Sequence, residues 1–426
     1  MSKSIVVIGG GAGGLELVVK LAKLYKRDSG TDIVLIDSQP SHIWKPLLHE
    51  VATGSLNSNV DEISYLSLAR KYRFRFVLGR CNRVDKKAKL IHLEQTLDDR
   101  GQELFPARAE PFDKLVIAVG SMSNDFGTPG IQQHCLMLDS RQEADRFHRR
   151  FVDQLHRVSQ SGELQVVIVG GGATGVELAA DLYNVARQLP EYGFSENTSQ
   201  KINVVVVEAG ERLLAQLPER VGESVSKELT ALGVDVKLNT RIERATDISV
   251  ITANGEALSS HISVWAAGIK APAWLAESEL EVDSLGRVIV TGHLVVPGEN
   301  DIYALGDCCA CPMSDGGVVP PRAQSAHQMA AYLYSKFKAG TAANEGEAFE
   351  YKDLGSLISL SEFSTVGSLM GNLMKGSMFI EGWLARRFYL ALYRMHQAAV
   401  LGYWKTLLTV VGDVLYRTTH AKLKLH

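Results

Sequence analysis

The sequence predicts an α/β protein with two Rossmann-like dinucleotide-binding domains and a C-terminal region of amphipathic helices. A β-branched run leads into glycines at GxGxxG spacing, Gly9, Gly11 and Gly14. The same pattern returns at Gly170, Gly172 and Gly175, and a basic, periodically apolar stretch runs from Trp383 to His426. At 426 residues the chain exceeds what one hydrophobic core usually supports, so two or three domains are expected.

The first element is IVVIGGGAGGLEL from Ile5, and its repeat, VVIVGGGATGVEL from Val166, lies 161 residues further on. A strand, a tight turn and a helix start are thus used twice. The first glycine of each set makes the turn, the second lets backbone approach a pyrophosphate, and the third lets helix pack on strand. An anion then rests on the helix N-terminus, which Ala12 opens in the first copy.

Each copy leads to a second strand that ends in an acid, Asp37 in DIVLID and Glu208 in INVVVVE. A carboxylate there accepts hydrogen bonds from a ribose 2′-hydroxyl and repels a 2′-phosphate. Asp37 lies 23 residues past Gly14, close to the expected spacing of about 20. Glu208 lies 33 past Gly175, and the polar stretch EYGFSENTSQ, residues 191–200, reads as the surface insertion that makes the excess. Glu208 and Glu211 favour NADH over NADPH, while Arg212 is the residue that would favour the phosphorylated cofactor. Glu16 and Glu177 hold the same place in the repeat, where the helix dipole alone favours an acid.

The next elements are FDKLVIAVGS (Phe112 to Ser121) and DIYALGD (Asp301 to Asp307), strands that end in a small-residue turn and in an acid. They resemble the return strand and terminal segment of two-dinucleotide-binding flavoproteins. That resemblance implies non-covalent FAD on the first copy and NADH on the second, with Gly120 lining the flavin pocket and Asp307 bonding the flavin ribitol or phosphate. The segments HIWKPLLHEVATGSL from His42, WAAGIKAP from Trp265, PPRAQSAHQMA from Pro320 and the end from Gly367 are similar to the bacterial type II NADH dehydrogenases, single-subunit NADH:quinone oxidoreductases that do not pump protons. The likeness covers essentially the whole chain. It implies an FAD domain at 1–160 and 291–350, an inserted NADH domain at 161–290, and a membrane-association region at 351–426.

Pro320 and Pro321 stop a strand, and AQSAHQMAAYLYSKF reads as a helix starting near Arg322 or Ala323. By the resemblance its N-terminus, at Ala323, points at the flavin and favours the anionic reduced form. Gln324, His327 and Gln328 fall on its first turns and resemble the quinone-site signature, an amide bonding a quinone carbonyl and an imidazole relaying a proton. The resemblance places Glu177 near nicotinamide and flavin. Ala267 and Gly268 should face the nicotinamide, their missing side chains allowing close stacking.

The formal net charge of −3 gives no reason to expect a nucleic-acid partner. Its distribution is uneven, for the tail from Trp383 carries +6 and the remainder −9. No window in the tail approaches the length of a membrane span. Leu384, Phe388, Leu392, Met395 and Ala399 fall at helical spacing, as do Trp404, Leu407, Leu408, Val411, Val414 and Leu415. With Arg386, Arg387, Arg394, Arg417, Lys422 and Lys424 around them, they read as helices in the headgroup plane of an anionic membrane, on the cytoplasmic face of a bacterial inner membrane. Packing on the protein's own core or on a second copy in a homodimer is the alternative reading.

Five cysteines, at no disulfide-framework spacing, and an N-terminus without a secretory pattern point to a reducing compartment. No cysteine lies between Gln39 and Arg80, where thiol-dependent relatives carry theirs. Cys308 and Cys311 make one CxxC without a second, so buried small side chains are expected and no metal. The competing functions are a soluble FAD-dependent NADH reductase for another acceptor, and a non-enzymatic NADH-binding sensor.

Overall fold

The computed structural model describes residues 3–425 other than 27, 29, 58–61, 99, 161, 361–363, 371–376, 382 and 420–422. Two compact units emerge. One contains Met1–Trp44, Glu62–Met122 and Ile269–Lys352, the other Lys45–Asp61, Ser123–Gly268 and Asp353–His426.

A five-stranded parallel sheet organises the first unit, in the order Ile302–Ala304, Lys114–Ile117, Lys3–Ile8, Thr31–Asp37, Arg75–Leu78. Val6, Val7, Leu35, Ile36, Leu115 and Val116 are fully buried in it. Such unbroken apolar runs are what a sheet covered on both faces requires. The helix Ala12–Leu24 crosses the helix Ala323–Ala339 closely, since a Cβ on Gly13 would lie 2.7 Å from the Ala326 carbonyl oxygen.

A four-stranded parallel sheet organises the second unit, in the order Asp235–Lys237, Ile202–Val207, Leu164–Val169, Ile262–Trp265. Its layout copies the first: the glycine-bearing strand lies between the strand that leads to the acid and the strand that ends in small residues. The insertion at 191–200 is two short 3-10 turns, Leu189–Tyr192 and Glu196–Lys201.

The units do not follow the expected boundaries at 160 and 290. Residues 123–160 belong with the second sheet, because Ile131 and Cys135 share a buried cluster with Val167, Val169 and Trp265. That unit leaves the middle of the chain at Gly268 and also takes in 45–61 and the whole of 353–426.

An antiparallel three-stranded sheet, Gly355–Leu360, Ser364–Met370 and Ser377–Glu381, precedes two helices, Trp383–Leu401 and Tyr403–Thr419. Gly402, at φ +90°, makes the bend between them. Arg394 clamps the bend by bonding Asp413 at 2.5 Å and Gln397 at 2.7 Å, and Gln397 donates to the Tyr393 hydroxyl at 2.9 Å. The first helix therefore buries Tyr393, His396, Gln397 and Val400 and leaves Leu392 and Met395 exposed. The side chains of Leu384, Phe388, Arg386, Arg387, Val414 and Arg417, and all of Lys422, lie outside the described residues. Among the described residues no helix is long and apolar enough to cross a membrane.

Candidate active site

Parallel strands in an open α/β sheet bring their loops together at their carboxyl ends, where ligands bind. In the first unit those ends carry Gly9–Gly14, Asp37, Gly120 and Asp307. Gly9 has φ +99°, and a Cβ there would stand 2.3 Å from the Ala118 carbonyl oxygen. A Cβ on Gly14 would stand 2.0 Å from the Gly9 oxygen, so this glycine sets how closely helix meets strand. Around Gly11 nothing lies within 4 Å of a built Cβ, nor around Gly120. Those are open cradles, one of them at the N-terminus of the helix that Ala12 begins.

The carboxylate of Asp37 accepts the Gly10 amide at 2.6 Å and the Gln39 amide at 2.8 Å. Burial holds its pKa above the ordinary value, and these amides offset only part of the rise. Beneath the loop the buried Tyr65 donates its hydroxyl to the Gly10 oxygen at 2.8 Å. Asp307 accepts the Ser121 hydroxyl at 3.0 Å.

The second unit repeats this layout. Gly170 has φ +119°, a Cβ on Gly175 would lie 2.1 Å from the Gly170 oxygen, and nothing lies within 4 Å of one on Gly172. Glu208 accepts the Gly171 amide at 2.6 Å and the Gly210 amide at 2.7 Å, matching Asp37. The Arg212 guanidinium donates to the carbonyls of Leu214, Ala215 and Leu217 at 3.3, 2.7 and 3.0 Å. It is committed to the carbonyls of its own loop.

Gly268 has a use other than an open platform. Its φ is +67°, and a Cβ there would fall 2.4 Å from the ring of Phe126, which itself holds φ +51°. The space over Gly268 is occupied by that aromatic ring, and Ala267 packs against the buried cluster around Trp265.

The helix that carries Gln324, His327 and Gln328 begins at Ala323, with Arg322 as its cap and Gln324 in its first turn. Gln328 is engaged with the Lys352 backbone, donating to its oxygen at 2.8 Å and accepting from its amide at 3.0 Å. His327 is half exposed, and its Nδ1 lies 2.5 Å from Oε2 of the fully buried Glu16, whose other oxygen is 2.6 Å from Lys20. Burial raises the Glu16 carboxyl, and the His327 and Lys20 contacts outweigh it, so the acid is held below its ordinary value. Sequence reasoning set Glu16 aside as a helix-start acid equivalent to Glu177. Its partner, His327, is 311 residues away, and only the fold reveals the pair.

A group held low contributes stability that is present above its ordinary value of 4.5 and lost as pH falls through the lowered one. Glu16→Gln is therefore expected to cost about 2 kcal/mol at neutral pH, through loss of hydrogen bonding to a charged group. It should also flatten the acid limb of a thermal-stability profile, measured by unfolding temperature against pH.

Glu177 is buried in the second turn of the helix Ala173–Gln188 and accepts the Ser359 amide at 3.0 Å. All five cysteines are free and buried, and burial pushes the Cys308 and Cys311 thiols up to about 12. Thiols so placed carry no thiolate at neutral pH.

Residues 3–330 match the pyridine nucleotide-disulphide oxidoreductase family. A type II NADH:quinone oxidoreductase of Haemophilus influenzae is 38% identical across the full length of both chains. One from Staphylococcus aureus is 29% identical over 88% of this chain and 91% of its own. The structure of NDH2 from Plasmodium falciparum in complex with NADH superposes over all of both chains with a TM-score of 0.82 at 19% identity, a likeness of fold. With twin dinucleotide cradles, each closed by its own acid, the chain belongs to the pyridine nucleotide-disulphide oxidoreductase family and, within it, to the type II NADH:quinone oxidoreductases.

Proposed function

We propose that the protein oxidises NADH and reduces a quinone at the surface of an anionic membrane, with FAD in the first unit and NADH on the second. The observation that carries this reading is the pair of matched cradles, open at Gly11 and at Gly172 and each closed by a carboxylate on the neighbouring strand.

Gly11, Ala12 and the helix they begin would hold the FAD pyrophosphate, Asp37 its ribose, and Gly120 with Asp307 the flavin side. Gly172 and its helix would hold the NADH pyrophosphate, and Glu208 the ribose. When bound, the flavin takes the hydride of NADH and supplies the two electrons that reduce the quinone. The protein orients the reactants and manages protons, a positioning role that needs no metal. His327, oriented by Glu16, and the buried carboxyl of Glu177 are its candidate proton-handling groups, Gln324 a candidate hydrogen-bond donor to a quinone carbonyl. Gln328, bound to the Lys352 backbone, secures the start of that helix.

The tail supports the membrane assignment. Trp404, Leu407, Leu408, Val411 and Leu415 recur at helical spacing and are between 49% and 82% exposed, with Lys405 exposed beside them. An exposed apolar stripe with a lysine beside it fits an acyl–headgroup boundary.

The test is NADH oxidation by the purified, FAD-loaded protein with a short-tail quinone. Rapid quinone reduction supports the reading; indifference to quinone beside turnover of a soluble acceptor would replace it with a soluble reductase. Cofactor choice gives a sharper measurement. Glu208→Gln should raise the KM for NADH about tenfold through loss of a charge-assisted bond. It should also narrow the NADH-to-NADPH ratio of kcat/KM, because the repulsion of a 2′-phosphate is gone.

A further inference from the structure

The helix Ala173–Gln188 carries a second buried acid one turn beyond Glu177, Asp181. From the short helix Leu48–Thr53, His49 inserts between them. Its Nδ1 lies 3.6 Å from Glu177 Oε2 and its Nε2 3.5 Å from Asp181 Oδ2. Glu50 adds another negative charge near Glu177, and His148 approaches the Ala52 carbonyl of the short helix at 3.3 Å. Two carboxylates that share one dry site cannot both ionise cheaply. Burial, with Asp181 and Glu50 adding to it, drives the Glu177 carboxyl well above its ordinary value, and burial brings the His49 imidazole down to about 4. Burial thus favours a proton on Glu177 and a neutral His49 ring.

We propose that Glu177, His49 and Asp181 act as one proton-holding unit, in which His49 is a positioning residue that takes up a proton when Glu177 gives its own away. This rests on the reading of Glu177 as a proton donor in quinone reduction. The Glu177 O–H bond breaks and its proton goes to a quinone oxygen, while the electrons come from NADH. A solvent proton then forms an N–H bond on His49, giving an imidazolium between two carboxylates. Transfer from that ring to Glu177 restores the starting state. One proton enters and one leaves, and one solvent proton per turnover is what NADH plus quinone requires, since the hydride carries the other hydrogen. His49 is the group beside Glu177 that can become cationic, whereas Asp181 and Glu50 are acids.

The experiment follows the protonated-carboxyl infrared band of the intact, FAD-loaded protein against pH, the band of Glu177 being the one missing in Glu177→Gln. His49→Asn should raise its midpoint by about one unit, tenfold in proton affinity, because the buried anion loses the neighbour that can balance it. Asp181→Asn should lower it by removing a like charge. His49→Asn should also slow reoxidation of the NADH-reduced enzyme by quinone about tenfold, with reduction by NADH unchanged. An unmoved midpoint in His49→Asn overturns the proposal, as does one in Asp181→Asn should His49→Asn fail to fold. A Glu177→Gln enzyme that reduces quinone at the wild-type rate overturns the donor reading itself. A slow Glu177→Gln beside a fast His49→Asn removes only the part given to His49.

Discussion

Gly14→Ala should yield protein that retains little or no FAD, while its twin Gly175→Ala retains FAD and shows a KM for NADH raised about tenfold to a hundredfold. Both substitutions place a methyl group where backbone already stands, 2.0 Å from the Gly9 oxygen and 2.1 Å from the Gly170 oxygen. Neither obstacle is the movable end of a side chain. The helix must back away from its strand, and overpacking of this kind costs about 1–3 kcal/mol. That displacement moves the helix N-terminus, whose amides are the pyrophosphate site, so the loss appears in ligand binding as well as in stability. Flavin absorbance per protein and steady-state kinetics with NADH separate the two outcomes. If Gly175→Ala lost flavin and Gly14→Ala kept it, the assignment of cofactors to the two cradles would be reversed.

Matched substitutions are informative because the two cradles are built alike down to the acid. Their likeness was legible in the sequence: glycine spacing and terminal acid follow from local chain geometry, and the motif spans only 33 residues from Ile5 to Asp37 and 43 from Val166 to Glu208. The helix start at Ala323 was legible for the same reason, with two prolines before it. What escaped notice depends on contacts distant along the chain. Tyr65 braces Gly10 from 55 residues away, Glu16 meets His327 across 311, and His49 reaches a helix more than 120 residues further on. A buried acid near a helix start looks the same in sequence whether it offsets a dipole or serves a histidine. The domain boundaries were displaced because a linker's membership is decided by which core its apolar side chains enter, as Ile131 and Cys135 show. The tail's period was readable, but its buried face was not, since polar Gln397 is buried against the Tyr393 hydroxyl and accepts from Arg394, which also holds Asp413.

Replacing Leu407, Leu408 and Leu415 together with Gln should lower partitioning onto anionic vesicles about a hundredfold and leave turnover of a short-tail, water-soluble quinone unchanged. These side chains are 54%, 70% and 62% exposed, so the substitutions remove little packing from the protein itself. A leucine moved wholly from water contributes about 1.5–3 kcal/mol. With roughly half of each still to be covered, about 1 kcal/mol apiece is expected, and three together correspond to about two decades of affinity. Lys405 beside the stripe makes attachment partly electrostatic, so binding should weaken with salt and on zwitterionic vesicles. Co-sedimentation with phosphatidylglycerol vesicles, beside zwitterionic ones, measures each of these effects. Reduction of a long-tailed quinone held in the vesicles should fall in step with binding, because its substrate is reached only from that surface. Undiminished vesicle binding by the triple variant, together with a change from dimer to monomer in sedimentation velocity, would show that the stripe is covered by a second copy of the chain.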